Sequence, residues 1–285
     1  VQRAIGWVAA FLLAVGMLFL PVSKAYAGPV SGGSPGSGEM RGVWVSYLDW
    51  NGWAKDEAGY KKAMDQTLDL CVQKGLNAVF LQVRPDGDAM YPSQYFPWSK
   101  FASGKQGKNP GYDPLAYAVQ AAHQRGLQLH AWVNPYRVRT SATNKQLSSK
   151  NPAVKLLKSG DAIRYNGAVT YDPASKKAQQ LIVEGVREIV EKYDVDGIHF
   201  DDYFYPTTDA AVDAAQFAAS GAADLAAWRR QNVTALVAKV HRTVKAADPT
   251  LRFGISPQGN PDNDLDQQYS CLLYTSPSPR DGATS

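Results

Sequence analysis

Five short apolar segments alternate with longer segments of helical period along most of this chain. The short segments are rich in β-branched and aromatic residues, as strands are, and the longer ones repeat apolar residues every three or four positions, as helices do. Long loops follow the strands. Repeated strand–loop–helix units predict a parallel sheet with right-handed crossovers. The predicted strands are 41–47, 76–84, 127–133, 195–201 and 251–256.

Helices are predicted between these strands. The first contains residues 60–72 and ends before Gly75, the second and third begin at the Asp-Pro pairs of Asp113 and Asp172, and the fourth covers 225–246. Five units and a stop predict an α/β fold, a (β/α)8 TIM barrel truncated after about the fifth β/α unit. An open doubly wound sheet is the alternative, but no Gly-rich phosphate loop follows the first strand, which weighs against it.

The amino-terminal end differs in composition from the rest. Residues 1–27 carry an apolar run behind Arg3 and end in Ala-Tyr-Ala, the layout of a secretory signal peptide. The run is shorter than the ~20 apolar residues of a membrane span. Residues 28–38 are a predicted Gly/Ser/Pro linker. We expect a protein that is secreted, periplasmic or at the cell surface, with membrane contact only through the uncleaved signal peptide.

Residues 271–285 have no strand or helix period. The segment 271–281 reads as the translation of a transposase sequencing-library adapter, so we expect this tail to be an artefact and the domain to cover 39–270. Without the two ends, 27 Lys and Arg face 25 Asp and Glu, a balance that gives no reason to expect nucleic acid as a partner. Cys71 is then the one cysteine left, and no intramolecular disulfide is expected.

Alternation within the strands divides their side chains into two sets. Apolar residues occupy the same phase in all five strands, so this phase should face the helices. The other phase becomes more polar towards the carboxyl ends, where barrel enzymes have their active sites. The side chains predicted to point into the barrel are Trp44, Ser46, Gln82, Arg84, Gln128, His130, Trp132, Asn134, His199, Asp201, Gly254 and Ser256.

The fourth strand ends in the residues that are best suited to catalysis. It ends in Asp201 and Asp202, which are followed by Tyr203 and two more aromatic residues. Neighbouring carboxylates beside aromatic rings predict acid/base work on a sugar; a solvated strand end or a helix cap is the alternative. Other aromatic residues in loops after strands are predicted to stack on sugar rings: Trp50, Trp53, Tyr91, Trp98 and Tyr136.

Several single residues have a second interpretation. A lone buried histidine is more often a hydrogen-bonded core residue than a catalyst, which applies to His130 and His199. Arg84 either neutralises a carboxylate or binds substrate, and Asp86 and Asp88 are either turn residues or site residues, with the turn favoured for Asp88. The candidate ligands Asp86, Asp88, His130, Asp201 and Asp202 have no His-x-His or Asp-x-Asp-x-Asp spacing, and no Gly-x-Ser-x-Gly elbow follows a predicted strand. No metal, cofactor or Ser-His-Asp triad is therefore expected.

Six blocks of residues occur in one order: MRGVWV at 40–45, LQVRPDGDA at 81–89, HAWVNPYR at 130–137, DGIHFDDYFYP at 196–206, WRRQNV at 228–233 and FGISP at 253–257. Over about 39–257 the chain resembles the glycosyl hydrolase-like 10 family. The resemblance implies an exported bacterial TIM-barrel glycoside hydrolase, and some members cleave peptidoglycan glycan strands freed of their stem peptides. It also implies an active site at Asp201 and Asp202 and a sugar cleft shaped by Arg84, Asp86, His130, Asn134, Tyr136 and Arg137.

The chain also departs from that family. Residues 258–262 stand where the family has a Gly-x-Trp-Arg-Asn-like segment, and its later strands are absent. If the second catalytic carboxylate lies on a late strand, this chain lacks it; Asp86 is another candidate. His199 and Tyr203 stand where family 18 chitinases have an inner Asp and the acid Glu, so the substrate-assisted mechanism of those enzymes is not expected.

Two functions therefore remain as hypotheses. In the first, an exported glycoside hydrolase cleaves O-glycosidic bonds of a cell-wall polysaccharide, with peptidoglycan glycan strands favoured, and the chain as given is an inactive fragment. Asp201 is the predicted proton donor, and Asp202 is its modulator or a second acid. In the second, the protein binds cell-wall glycan without cleaving it. In both, Trp44, His199 and Tyr203 are further predicted substrate contacts.

Overall fold

The computed structural model describes residues 39–140, 147–201 and 204–256. The predicted signal peptide, linker and artefactual tail lie outside the described residues. So do two of the predicted site residues, Asp202 and Tyr203, whose roles stay predictions.

Five parallel strands form the main sheet, and they lie side by side in the order in which the chain reaches them. A doubly wound sheet reverses its strand order at a switch point, whereas this order is that of five successive units of a (β/α)8 barrel. The predicted α/β class is therefore confirmed. The strands are β1 (Gly42–Val45), β2 (Ala78–Arg84), β3 (Gln128–Val133), β7 (Gly197–Phe200) and β8 (Arg252–Ile255).

The four long helices connect these strands and begin at capped ends. The side chains of Asp56, Asp113 and Asp224 each accept a hydrogen bond from a backbone N–H of the first turn, which satisfies a donor that the helix leaves open. One predicted start is wrong: Asp172 accepts from Ala174 N–H in a turn, and the helix begins after Ser175. The helices are α2 (Glu57–Gln73), α4 (Pro114–His123), α6 (Lys176–Lys192) and α8 (Leu225–Ala247).

A second, antiparallel sheet lies within the segment between β3 and α6, where the sequence analysis predicts only a long loop after the third strand. Its order is β4-β6-β5, and Asn166 and Gly167 join β5 to β6 with positive φ angles of 46° and 80°. Asn-Gly is the preferred pair for such a hairpin turn, so this signal was present in the sequence and was missed. The strands are β4 (Arg137–Arg139), β5 (Ala162–Tyr165) and β6 (Ala168–Tyr171).

The remaining elements are short. Helix α1 follows β1 directly, because Ser46 and Asp49 cap its first turn reciprocally, and Ser46 is therefore a cap rather than a side chain of the barrel interior. The short helices are α1 (Tyr47–Gly52), α3 (Lys100–Ser103), α5 (Ala153–Lys158) and α7 (Ala214–Ser220), with a 3-10 turn at Ala210–Val212. None of the helices in the described ranges is long and apolar enough to cross a membrane.

Apolar residues of the predicted outward phase form the core between sheet and helices. Val79, Leu81, Leu129, Ala131 and Ile198 are completely buried, and the inward residues of α6 and α8 pack in the same cluster. This layer stabilises the sheet through its removal from water. The core therefore lies on one side of the strands and leaves the other side for the polar phase.

Gly197, at the start of β7, allows a close approach that no other residue permits. A Cβ atom there would lie 2.5 Å from both the carbonyl oxygen of Arg252 and Nδ1 of His130. The carbonyl belongs to the neighbouring strand, so the backbone would have to move. The glycine of the Asp-Gly pair is thus required by packing between three strands.

We expect Gly197→Ala to lower the free energy of unfolding by about 2 kcal/mol, because overpacking against backbone costs roughly this much. Gly52→Ala is the matched control, since a Cβ atom at Gly52 would have open space within 4 Å. Urea unfolding followed by circular dichroism measures both. Equal stability of the two variants would contradict the packing argument.

Candidate functional site

A chain of hydrogen bonds between side-chain amides leads to Asp201 at the carboxyl ends of the strands. The backbone N–H of Tyr47 donates to Gln82 Oε1 at 2.9 Å. Gln82 Nε2 donates to Asn134 Oδ1 at 2.8 Å, and Asn134 Nδ2 donates to Asp201 Oδ2 at 3.3 Å. Because a backbone N–H can only donate, it fixes the orientation of both amides. Asn134 must then present its NH2 group to the carboxylate.

Burial adds to this fixed geometry. Gln82 and Asn134 are each 1% exposed, so a broken hydrogen bond between them would leave polar groups without water. Asp201 is partly exposed, and its carboxyl group accepts the hydrogen bond from the buried Asn134. The arrangement is suited to orienting one carboxyl group at the rim of the sheet.

Aromatic and imidazole rings form the layer beneath these amides. Phe80 stacks between Trp44 and His130, with centroid distances of 4.9 and 4.8 Å, and contacts His199 edge-on at 5.0 Å. The inward phase thus brings Trp44, His130 and His199 to one side of the sheet, as the alternation predicts. Phe80 shares that phase but was not named as an interior residue.

Both histidines are neutral near pH 7. Burial lowers the pKa of His130 and of His199 to about 4. Trp44 Nε1 donates to His199 Nε2 at 3.2 Å, so the ring proton of His199 lies on Nδ1. The Ser256 hydroxyl lies 3.0 Å from the same Nε2. This favours the core interpretation for His130 and His199, and their contact with a sugar stays a prediction.

Arg84 does not join this site, and its predicted inward direction is wrong. The pairing of β2 with β3 shifts between Gln82 and Arg84, and one extra residue in a strand turns the following side chains to the other face. The guanidinium lies 4.4 Å from the centre of the Phe96 ring and against Gly185 of α6. With 1% exposure, Arg84 belongs to the layer between sheet and helix.

Asp86 and Arg137 lie together at the rim beside Tyr47. Arg137 Nε donates to the carbonyl oxygen of Pro85 at 2.9 Å and lies 3.6 Å from Asp86 Oδ1. Burial raises the pKa of the Asp86 carboxyl, and the charge of Arg137 partly opposes that shift. The guanidinium is 6.0 Å from the centre of the Tyr47 ring. Asp86 is therefore a second rim carboxyl, with a raised pKa.

Most of the aromatic residues predicted to stack on sugars are core residues. Tyr136 is fully buried and packs edge-on against Phe204 at 6.3 Å, and its predicted role in the sugar cleft stays a prediction. Trp50 and Tyr91 are likewise 1% and 0% exposed. Trp44 is about half exposed and is the aromatic residue of the interior layer that a ligand could reach. Loop position alone does not separate stacking platforms from packing residues.

A cavity of about 340 Å³ lies next to the Asp86–Asp88 loop. Asp88 accepts a 2.6 Å hydrogen bond from Gln106 Nε2, and burial, followed by the charge of Asp86, raises its pKa from 3.8 to about 7. Asp88 was predicted to be a turn residue, but it is a buried acid at the wall of a cavity. The described lining includes Asp86, Asp88, Lys100, Gln106, Arg139 and Leu147. Across the described parts of the chain, no three His, Cys, Asp or Glu residues gather as metal ligands do.

Similar solved structures show which class of fold this is. The chain is similar to α-L-fucosidase isoenzyme 2 from Paenibacillus thiaminolyticus, with a TM-score of 0.55, 17% identity, and coverage of 77% of this chain and 32% of that one. It is also similar to the PgaB (BpsB) glycoside hydrolase domain from Bordetella bronchiseptica, with a TM-score of 0.50, 17% identity, and coverage of 76% and 64%. At this identity the likeness concerns the fold, which is one that glycoside hydrolases use.

Sequence comparison gives the family. The family model described as Glycosyl hydrolase-like 10 matches residues 39–276, and the chain belongs to this family. It is 41% identical over 234 residues to the glycosyl hydrolase YngK of Bacillus subtilis, covering 78% of this chain and 45% of that protein. It is 40% identical over 243 residues to the glycosyl hydrolase DigH of Escherichia coli K12, covering 77% and 55%. The chain thus spans about half the length of these relatives.

The buried acid predicts a measurable pH dependence. Because Asp88 holds its proton more tightly in the folded than in the unfolded state, stability falls as the pH rises from about 4 to about 7. We expect Asp88→Asn, which can still accept from Gln106, to raise the free energy of unfolding by on the order of 2 kcal/mol at pH 8. Urea titrations at several pH values measure this.

Near pH 4 Asp88 is protonated in the folded protein and about half protonated in the unfolded chain, so most of the gain should disappear there. This makes the low-pH measurement the control for the same variant. A gain of equal size at pH 4 and pH 8 would exclude titration of Asp88 as its cause.

Proposed function

We propose that the full-length protein is an exported glycoside hydrolase that cleaves O-glycosidic bonds of a cell-wall polysaccharide, with peptidoglycan glycan strands favoured. The observation that carries the proposal is the Tyr47–Gln82–Asn134 chain of hydrogen bonds, which ends on the carboxylate of Asp201. Fixed donors that hold a carboxyl group at the carboxyl end of parallel strands are what acid/base catalysis in such a fold requires. Family membership supports the reaction class.

In this proposal Asp201 gives its proton to the leaving glycosidic oxygen. The carboxyl group must keep one orientation while a sugar binds, and Asn134 Nδ2 contributes to this by donating to Oδ2. Proton transfer from a positioned carboxyl group contributes roughly 10²–10⁴-fold to a rate.

A second carboxyl group must act together with Asp201. Asp202, which adjoins Asp201 in sequence, is the first candidate in the proposal, as modulator or second acid. Asp86 is the other, and its raised pKa suits an acid better than a nucleophile. The distance between the two carboxyl groups decides the configuration of the product at the anomeric carbon. Carboxyl groups ~5 Å apart retain it, and those ~6.5–9.5 Å apart invert it.

A glycan-binding protein without catalysis is the second candidate. One observation favours it: among the described residues, the carboxylate that the Gln82–Asn134 chain reaches is Asp201 alone, whereas cleavage needs two acting carboxyl groups. Half-exposed Trp44 also offers a ring for a sugar to stack on whether or not a bond is cut.

We expect Asp201→Asn in the full-length protein to lower the release of reducing ends from peptide-free glycan strands by about 10²-fold or more, because the amide cannot donate the proton that the acid supplies. Binding of the strands should persist. Asp69→Asn is the control, since Asp69 lies on the exposed side of α2 and pairs with Arg125.

Full release of reducing ends by Asp201→Asn would refute the assignment of the donor. Tight binding without turnover in the unchanged protein would decide for the second candidate. The two results are distinguished by measuring binding and product release on the same samples.

A further inference from the structure

The segment that carries the small antiparallel sheet is strongly basic. Between Arg137 and Tyr171 there are seven Lys and Arg residues and one Asp, while the rest of the chain has 23 Lys and Arg against 25 Asp and Glu. The positive charge of the protein is therefore concentrated in one insertion after β3. Such separation creates a local field that attracts anions.

Three of these cations line one concave surface. A cavity of about 740 Å³ is bordered by Arg139, Lys158 and Arg164, and its described lining contains no Asp or Glu. The cations come from β4, α5 and β5, so three different elements direct charge to one place. We call this surface the basic groove. Its other described lining residues are Leu147, Ser149, Val154 and Leu157.

The basic groove adjoins the cavity next to Asp86. Arg139 and Leu147 line both the basic groove and the cavity next to Asp86. The insertion also packs directly on the Asp86–Asp88 loop, because Gly87 N–H donates to the carbonyl oxygen of Val138 at 3.0 Å and Asn151 Nδ2 donates to that of Gly87 at 2.8 Å. These bonds fix the groove relative to the rim carboxyl group of Asp86.

The arginine and lysine side chains of the basic groove attract anionic groups, which the carboxyl and amide groups around Asp201 do not. A guanidinium matches a carboxylate with two parallel hydrogen bonds, and Leu157 and Val154 offer apolar surface to the ring of a sugar. The site around Asp201 has carboxyl groups and neutral amides instead. A ligand that spans both regions would be a glycan whose anionic groups lie beside, not at, the bond that is cut.

We propose that the basic groove is a subsite for a carboxylate-bearing sugar of the glycan whose neighbouring linkage lies at Asp201. This inference rests on the proposed function, since the same chain is the ligand of both regions. The groove selects glycans that carry regularly placed carboxylates over neutral glycans with the same backbone. Its cations contribute to binding and take no part in bond cleavage.

The test compares charge-reversal variants in the full-length protein with Asp201→Asn present, so that binding is measured without turnover. Lys158→Glu and Arg164→Glu change the basic groove. Lys155→Glu is the matched control, because Lys155 lies in the last turn of the same helix, is exposed, and does not line the cavity. Isothermal titration calorimetry gives the dissociation constants.

Two probes share one sugar backbone. The first is peptide-free peptidoglycan glycan strands, whose muramic acid residues carry free carboxylates, and the second is the same strands with those carboxylates converted to neutral methylamides. We expect each groove variant to bind the first probe about tenfold more weakly and the second within about twofold of the unchanged groove. Lys155→Glu should bind both normally, and added salt should weaken only the first.

Equal affinity of the groove variants and the control for the carboxylated strands would overturn the inference. Poly(glycerol phosphate) serves as a third ligand: if it alone loses affinity in the groove variants, the groove binds phosphate and the proposal of a carboxylated sugar is wrong. If the proposed function is wrong but the groove inference is right, the experiment gives a different result. Carboxylated strands would then lose affinity in the groove variants while the protein with Asp201 intact released no reducing ends.

Discussion

A single backbone N–H group sets the direction of the candidate catalytic carboxylate. Tyr47 donates to Gln82, and this orders two side-chain amides whose oxygen and nitrogen ends could otherwise exchange. Because both amides are buried, reversing either one would place donor against donor in a region without water. The orientation of Asp201 therefore depends on where helix α1 begins, and the cap formed by Ser46 and Asp49 fixes that point.

The layer of aromatic and imidazole rings beneath these hydrogen bonds is uncharged. Burial keeps the imidazoles of His130 and His199 neutral, and their rings pack with Phe80 and Trp44 as apolar surfaces do. A neutral floor does not compete with Asn134 for the carboxylate of Asp201. Much of the positive charge lies in the insertion after β3, in Arg137 beside Asp86 and in the cations of the basic groove.

Three residues have surroundings that differ from those the sequence indicates. Arg84 and Tyr136 had looked like ligand contacts, because both follow or end a strand, yet both are buried in the packing between layers. Asp88 had looked like a turn residue and is a buried acid with a pKa of about 7. In each case the side chain itself is ordinary, and its surroundings, formed by distant segments, decide whether it faces a ligand or the core.

The sequence by itself determined the order of the strands and helices, the caps at Asp113 and Asp224, and the side of the sheet on which Trp44, Asn134 and Asp201 meet. These depend on local periodicity and on side chains that bond to nearby backbone, which a sequence displays directly. The Asn166–Gly167 pair also predicts a hairpin turn from the sequence alone. Only the tertiary structure decided the direction of Arg84, because a bulge in β2 arises from pairing with β3. Pairing, burial and the shape of a cavity depend on residues far apart in the chain, and no local pattern encodes them.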